Sequence, residues 1–273
     1  MRVAYLGPPG TFSEEAVSRC PGLSGAERVP FPNFADAYEA ALLGEVDVAL
    51  LPVENSIEGA VGATLDLLVH RPGLRIQKEL PLPVEQHLLA RPGTEMGAIR
   101  RVLSHPQALG QCAGFLRAKL HGIPTEPTLS TADAARRAAD EEGLAAIGGR
   151  GAADRYGLAV LASSIHDAAE NVTRFVLLGR EDGKATGRDR TSIAFTLDRD
   201  RPGGLYEVIA LFATRRINLS RIESRPTKTA VGHYVFFLDF EGHRAEPECA
   251  DALAGVRRQV HMMLLLGSYP RAG

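Results

Sequence analysis

Cysteine is scarce in this 273-residue chain: Cys20, Cys112 and Cys249 lie far apart and no CxxC pair occurs. An odd number of dispersed thiols argues against a disulfide framework and fits a reduced, cytoplasmic protein. An excess of either charge is also missing, since 31 Lys and Arg against 33 Asp and Glu leave a formal net charge of −2. No face is marked as basic, so nucleic acid is not an expected partner. No apolar run approaches ~18–20 residues, so no membrane span is expected. The segment Met1–Gly7 is too short for the apolar core of a signal peptide. Metal and nucleotide motifs are lacking too: there is no HExxH or GxxxxGK[ST], and Gly148-Gly149-Arg150-Gly151 does not have dinucleotide-fingerprint spacing. With the histidines scattered, no metal ligand set is expected.

What is present is an alternation of short apolar strands and helices, the signature of an α/β fold. Val3–Leu6, 46–51, Leu74–Leu80, Pro83–Ala90, Arg101–Ser104, Leu144–Ile147 and Val172–Leu178 read as extended. Thr11 and Asn33 stand at helix starts, and single helices are expected over 108–120 and 132–142. Residues 180–190 differ in character: seven of the eleven are charged, which reads as a linker or exposed loop. Beyond them the predicted order is β-α-β-β-α-β, with strands over 191–197, 219–227, 232–240 and 260–266. This order matches a ferredoxin-like split unit.

Three polar loops at strand ends concentrate the candidate chemistry. Gly7-Pro8-Pro9-Gly10-Thr11-Phe12-Ser13 is either an anion-binding turn or an ordinary capped βα turn. In Pro52-Val53-Glu54-Asn55-Ser56-Ile57-Glu58-Gly59, Asn55 and Ser56 can donate to a carboxylate, while Glu54 can orient a partner or a hydroxyl. In Asn171-Val172-Thr173-Arg174-Phe175, strand alternation puts Asn171, Thr173 and Phe175 on one side and Arg174 on the other. Thr173 then presents a hydroxyl beside an aromatic wall, or is simply a β-branched strand residue. Open α/β sheets bind ligands at strand carboxyl ends. His105-Pro106-Gln107 and Ser130-Thr131 are placed to supply an opposite wall, with His105 more a packed loop residue than a base.

Taken together, these segments resemble the prephenate dehydratase family over almost the whole chain. The first loop is similar to its GPxGTFS motif, the second to PxENSxxG and the third to its Thr-Arg-Phe signature, while His105-Pro106-Gln107-Ala108-Leu109 matches a further segment. The C-terminal unit resembles the family's ACT regulatory domain. Gly203-Gly204-Leu205-Tyr206 stands for the GALY turn, with Gly204 replacing its alanine, and Glu223-Ser224-Arg225-Pro226 stands for ESRP. The resemblance implies a two-lobed, periplasmic-binding-protein-like catalytic domain over 1–180, with lobes 1–78 plus 162–180 and 79–161. It further implies a linker at 181–190 and an ACT domain at 191–273. It implies loss of carbon dioxide and water from prephenate to give phenylpyruvate, without cofactor or metal because aromatisation drives the step. Thr173 would donate to the leaving hydroxyl. Thr11, Ser13, Asn55, Ser56 and Gln107 would hold the substrate, with Phe175 against its ring. Arg174 would meet a carboxylate, or backbone N–H groups would do so if its side chain points away. Glu54 either anchors its loop or touches substrate. Phenylalanine would bind between subunits of a homodimer or homotetramer, at Gly204, Leu205, Asn218, Leu219, Glu223, Ser224, Arg225 and Pro226. Arogenate dehydratase and a non-catalytic aromatic-ligand sensor stand as alternatives. No fused chorismate mutase is expected.

Overall fold

The alternating course begins with β1 (Arg2–Leu6), α1 (Phe12–Arg19), β2 (Glu27–Phe31), α2 (Phe34–Leu43), β3 (Val48–Asn55), the short β4 (Gly59–Ala60), α3 (Gly62–His70) and β5 (Arg75–Pro83). It continues through β6 (His87–Ala90), β7 (Arg101–Ser104), α4 (Pro106–Gln111), α5 (Ala113–Lys119), β8 (Thr125–Pro127), α6 (Thr131–Asp140), β9 (Leu144–Gly148), α7 (Arg150–Tyr156), β10 (Ala159–Ala162) and β11 (Val172–Gly179). The last course is β12 (Asp189–Thr196), α8 (Gly204–Ala213), β13 (Leu219–Pro226), β14 (Tyr234–Glu241), α9 (Pro247–Gln259) and β15 (Met262–Pro270). This computed structural model describes residues 1–197, 201–227 and 233–272. Gly232, expected to open a strand, lies outside them.

Three sheets result, with orders β2-β1-β3-β11-β5, β10-β6-β9-β7-β8 and β13-β14-β12-β15. The chain leaves the first sheet after Pro83 and returns to it at Val172. It divides into two compact units: Met1–Gly62 with Pro81–Phe175, and Ala63–Leu80 with Val176 to the C-terminal end.

The second sheet shows why its strands are apolar throughout. Leu88, Ala90, Ala145 and Ile147 pack on one face, and Leu89, Leu144 and Ala146 on the other. A sheet covered on both faces needs no polar alternation. On the second face Ala134, Ala135 and Ala138 of α6 join Leu89 and Ala146, and their small side chains let the helix lie close. The third sheet is antiparallel. Ile193, Phe195, Leu238 and Phe240 pack with Val208, Phe212 and Leu253 in one core beneath α8 and α9, the ferredoxin-like arrangement its element order predicts.

Two expectations need correction. The single helix over 108–120 is two, because Cys112 leaves helical geometry (φ −115°, ψ 16°) while its side chain is fully buried in the core. The Asp167 carboxylate then accepts from the Gly114 N–H at 2.9 Å, satisfying the first turn of α5. The charged stretch 180–190 also ends inside a strand, since Asp189 and Arg190 belong to β12. Burial alone would raise the Asp189 pKa, but hydrogen bonds from the Thr186 N–H and hydroxyl and the Gly187 N–H outweigh it and hold the carboxyl below its ordinary range. β2 was not foreseen: it is a half-exposed edge strand containing Pro30, which carries little pattern.

Candidate active site

Within the first unit, the loop after β1, the end of β3 and the start of β11 meet the starts of α4 and α6 around a cavity of about 250 Å³. Its first wall is the Gly10–Ser13 turn. Thr11 caps α1: its hydroxyl accepts from the Glu14 N–H and donates to the Leu6 carbonyl at 3.0 Å. Gly10 sits at φ +92°, and an added Cβ there would approach Tyr156 Cε2 to 3.1 Å. Tyr156 in turn donates to the Pro9 carbonyl at 2.9 Å. Phe12 packs so close to Gly149 that a Cβ there would sit 2.8 Å from its ring. The turn is therefore fixed from both sides.

Asn55 is the hinge of the polar network. Its Oδ1 accepts from the Ile57 and Glu58 N–H groups, each at 3.0 Å. Backbone N–H groups can only donate, so the amide orientation is set and Nδ2 must face β11. There Nδ2 donates to Asn171 Oδ1 at 2.7 Å and to Thr173 Oγ1 at 2.9 Å. Asn171 passes the orientation on, donating from Nδ2 to Gln111 Oε1 at 3.1 Å. Two consequences follow. Thr173 Oγ1 is an acceptor toward Asn55, so its own hydrogen is available to a ligand. Gln111 Nε2 is a donor that is buried without a protein partner, and its residue lines the cavity.

The residues expected in the site divide. Thr11, Ser13, Asn55, Gln107 and Thr173 line the cavity, together with His105, Ser130 and Thr131. Glu54, Ser56, Arg174 and Phe175 do not. Ser56 clamps the start of β11 instead: its N–H donates to the Val172 carbonyl and its Oγ accepts from the Val172 N–H, both at 2.9 Å. Arg174 Nε lies 3.8 Å from Glu54 Oε2, on the side of the strands away from Asn55 and Thr173. Phe175 is 2% exposed and belongs to the core, so the aromatic wall expected from it is supplied by Phe12. Asn171 and Gln111 had been given no role. The available signal was spacing, since Gln107 and Gln111 are four apart and share a helix face.

None of the described residues lining the cavity is Lys, Arg, Asp or Glu. Donors are nevertheless available from its hydroxyls, amides and helix starts. The starts of α1, α4 and α6 meet there, and first-turn N–H groups carry the positive end of the helix dipole. The arrangement suits an anion with an apolar body, held largely by hydroxyl, amide and backbone donors.

In the second unit, α8 begins at Gly204 after Gly203 in the left-handed region (φ +85°). A methyl on Gly204 would approach Leu197 Cδ1 to 3.1 Å, tight but against a flexible side chain. Leu205 is half-buried against the core, and Asn218 is exposed with its carbonyl accepting from the Glu241 N–H. Leu219, Glu223, Ser224, Arg225 and Pro226 lie on β13, an edge strand of the third sheet. Arg221 donates to Glu223, and Arg225 lies 3.9 Å from Glu223 and 3.3 Å from Asp66 of α3.

Sheets, cavity and C-terminal ferredoxin-like unit define an α/β protein with a candidate ligand cavity and a further antiparallel sheet. A family model described as prephenate dehydratase matches residues 3–183, and one described as ACT domain matches residues 191–257. A prephenate dehydratase from Amycolatopsis methanolica is 44% identical, covering 99% of this chain and 89% of that one. The chain belongs to the prephenate dehydratase family. The crystal structure of a prephenate dehydratase from Arthrobacter aurescens in complex with L-Phe has a TM-score of 0.92 and 42% identity, covering 100% of this chain and 90% of that one. A protein described as a novel type of quorum quenching acylase is also similar, with a TM-score of 0.88 and 29% identity over 100% of this chain and 98% of that one. One fold thus carries two activity names, and the site residues must decide between them. Among the described residues, no helix is long and apolar enough to cross a membrane.

Proposed function

We propose that this chain converts prephenate to phenylpyruvate and that phenylalanine regulates the step through the C-terminal sheet. The observation that carries the reading is the orientation of the Thr173 hydroxyl. Asn55 occupies its acceptor side and leaves its hydrogen to point at a ligand. When the ring carboxylate departs as carbon dioxide, its bonding pair enters the ring and the opposite hydroxyl leaves with its own bonding pair, taking one proton from solvent to become water. A donor held at that oxygen stabilises the charge developing there, and preorganised donors are typically worth ~10²–10³ in rate. Substrate carboxylates are met by Gln111 Nε2, the Ser13 hydroxyl and the helix starts. Arg174, paired toward Glu54, is not asked to bind substrate.

The catalytic domain is read as spanning 1–180, the ACT domain as following residue 190, and phenylalanine as binding near Leu205, Asn218 and the Glu223–Pro226 turn. Edge strand β13 offers unpaired backbone groups for a two-fold pairing of copies, giving a dimer or tetramer. Three free, buried thiols fit a reducing cytoplasm.

The test is turnover of prephenate by the purified chain, followed by phenylpyruvate formation with and without phenylalanine. Turnover that responds to phenylalanine is expected. Tight binding of prephenate with no product would support the sensor instead. A higher kcat/KM with arogenate would reassign the substrate.

A further inference from the structure

Gln86 is 3% exposed and lines the same cavity, at the connection between β5 and β6. Its carbonyl accepts from the Ile165 N–H at 2.8 Å, which pins the backbone. The side chain has no such tie. Its Oε1 is buried without a hydrogen-bond partner, and among the described residues no protein group pairs with its amide nitrogen. Buried amides nearly always bond, so an orphan on a cavity wall marks a group whose partner arrives with a ligand. The contrast with Gln111 is informative. Asn171 dictates which end of the Gln111 amide faces inward. Nothing dictates it for Gln86, whose amide is free to turn Nε2 to whatever enters. No Lys or Arg lines the cavity, so apart from His105 an anionic ligand is met there by neutral donors, and this one is uncommitted.

We propose that Gln86 is a substrate-positioning residue that donates its amide N–H to a carboxylate of the bound substrate. The inference rests on the dehydratase reading and extends it to a residue that none of the sequence motifs includes. It also carries a consequence that a merely structural role would reverse. A buried carbonyl oxygen without a partner destabilises the empty protein, so removing the amide's polar atoms at constant volume should stabilise that protein while weakening substrate binding.

Gln86→Met and Gln86→Glu test this against the wild-type chain. Without ligand, the melting midpoint of Gln86→Met should rise by about 2–4 °C. A fall would reveal a protein partner for the amide and overturn the inference. With prephenate, KM should rise about tenfold in Gln86→Met, with most of the loss in KM and not in kcat. It should rise further in Gln86→Glu, where like charges meet. An unchanged KM in both variants, with an active wild type, defeats the inference alone. A wild type that neither binds nor converts prephenate defeats the dehydratase reading and this inference with it.

Discussion

The two units place their polar groups by opposite means. Around Asn55 and Thr173 the polar groups carry no carboxylate, lysine or arginine and are ordered by donor–acceptor logic, with Asn55 fixing Asn171 and Asn171 fixing Gln111. Around Arg225 the groups are charged, about a quarter exposed, and share partners: Glu223 lies near both Arg221 and Arg225, and Arg225 near both Glu223 and Asp66. A neutral network in which each end has one role admits one arrangement. Ion pairs that share a carboxylate or a guanidinium in this way admit more than one pairing. Rigid geometry therefore lies where a reaction is proposed, and replaceable contacts lie where an effector is proposed to act.

Breaking the neutral side should have the largest effect. Thr173→Ala should lower kcat by ~10²–10³ without unfolding the protein, while Thr173→Ser keeps the hydroxyl and most of the activity. Circular dichroism and steady-state kinetics together check it, and a folded, fully active Thr173→Ala would end the proposed mechanism. Asn55→Asp comes next. A carboxylate still accepts from Ile57 and Glu58 but cannot donate to Thr173, so kcat should fall about 10- to 100-fold. If Asn55→Asp matched the wild type, the hydroxyl would be oriented by something other than this amide.

Breaking the charged side should be milder. In Asp66→Ala, Arg225 loses a competing partner, so half-maximal response to phenylalanine should move to about two- to fivefold lower concentration. Turnover without phenylalanine should hold. A titration curve superimposable on the wild type would remove Asp66 from regulation.

A final, smaller test concerns pH. His87 is 2% exposed and its Nδ1 accepts from the Ser164 N–H at 3.1 Å. Burial lowers its pKa, with Arg150 and His166 adding to the effect against Glu85. The unfolded chain takes up this proton near pH ~6.5 and the folded chain does so only at lower pH. Stability should be whole above that value and decline as pH falls below it. Melting midpoints from pH 7.5 to 5 should show this slope, and His87→Asn should flatten it. An equal slope in both proteins would assign the decline to other groups.

Much of the fold was legible because its signals are local. Thr11, Asn33 and Ser130 cap helices through the N–H three residues on, and such spacing is visible in any sequence. Alternating apolar residues in 191–197 announced a strand, although Ser192 and Ala194 on its second face are buried as well. β2 was hidden, since a half-exposed edge strand with a proline has no pattern to read. The break at Cys112 had a local signal in the flanking Gly110 and Gly114, both poor helix formers, but its exact place depends on burial of the Cys112 side chain and on Asp167, a residue distant in sequence. Of the residues expected at the site from their loops, Thr173 and Asn55 line the cavity, whereas Arg174 and Phe175 do not.

The sequence by itself determined most of the elements and their order, the three loops and the family resemblance, since these depend on residue type and spacing along the chain; edge strand β2 and the break between α4 and α5 were not among them. Only the tertiary structure decided which side of each loop faces the cavity. A pairing between residues 116 or 118 positions apart, as for Asn55 with Asn171 and Thr173, leaves no periodic trace. Once that pairing forms, hydrogen-bond donors and acceptors fix the rest. They send Thr173 and Gln111 inward, leave Arg174 with Glu54, and leave Gln86 waiting for a partner.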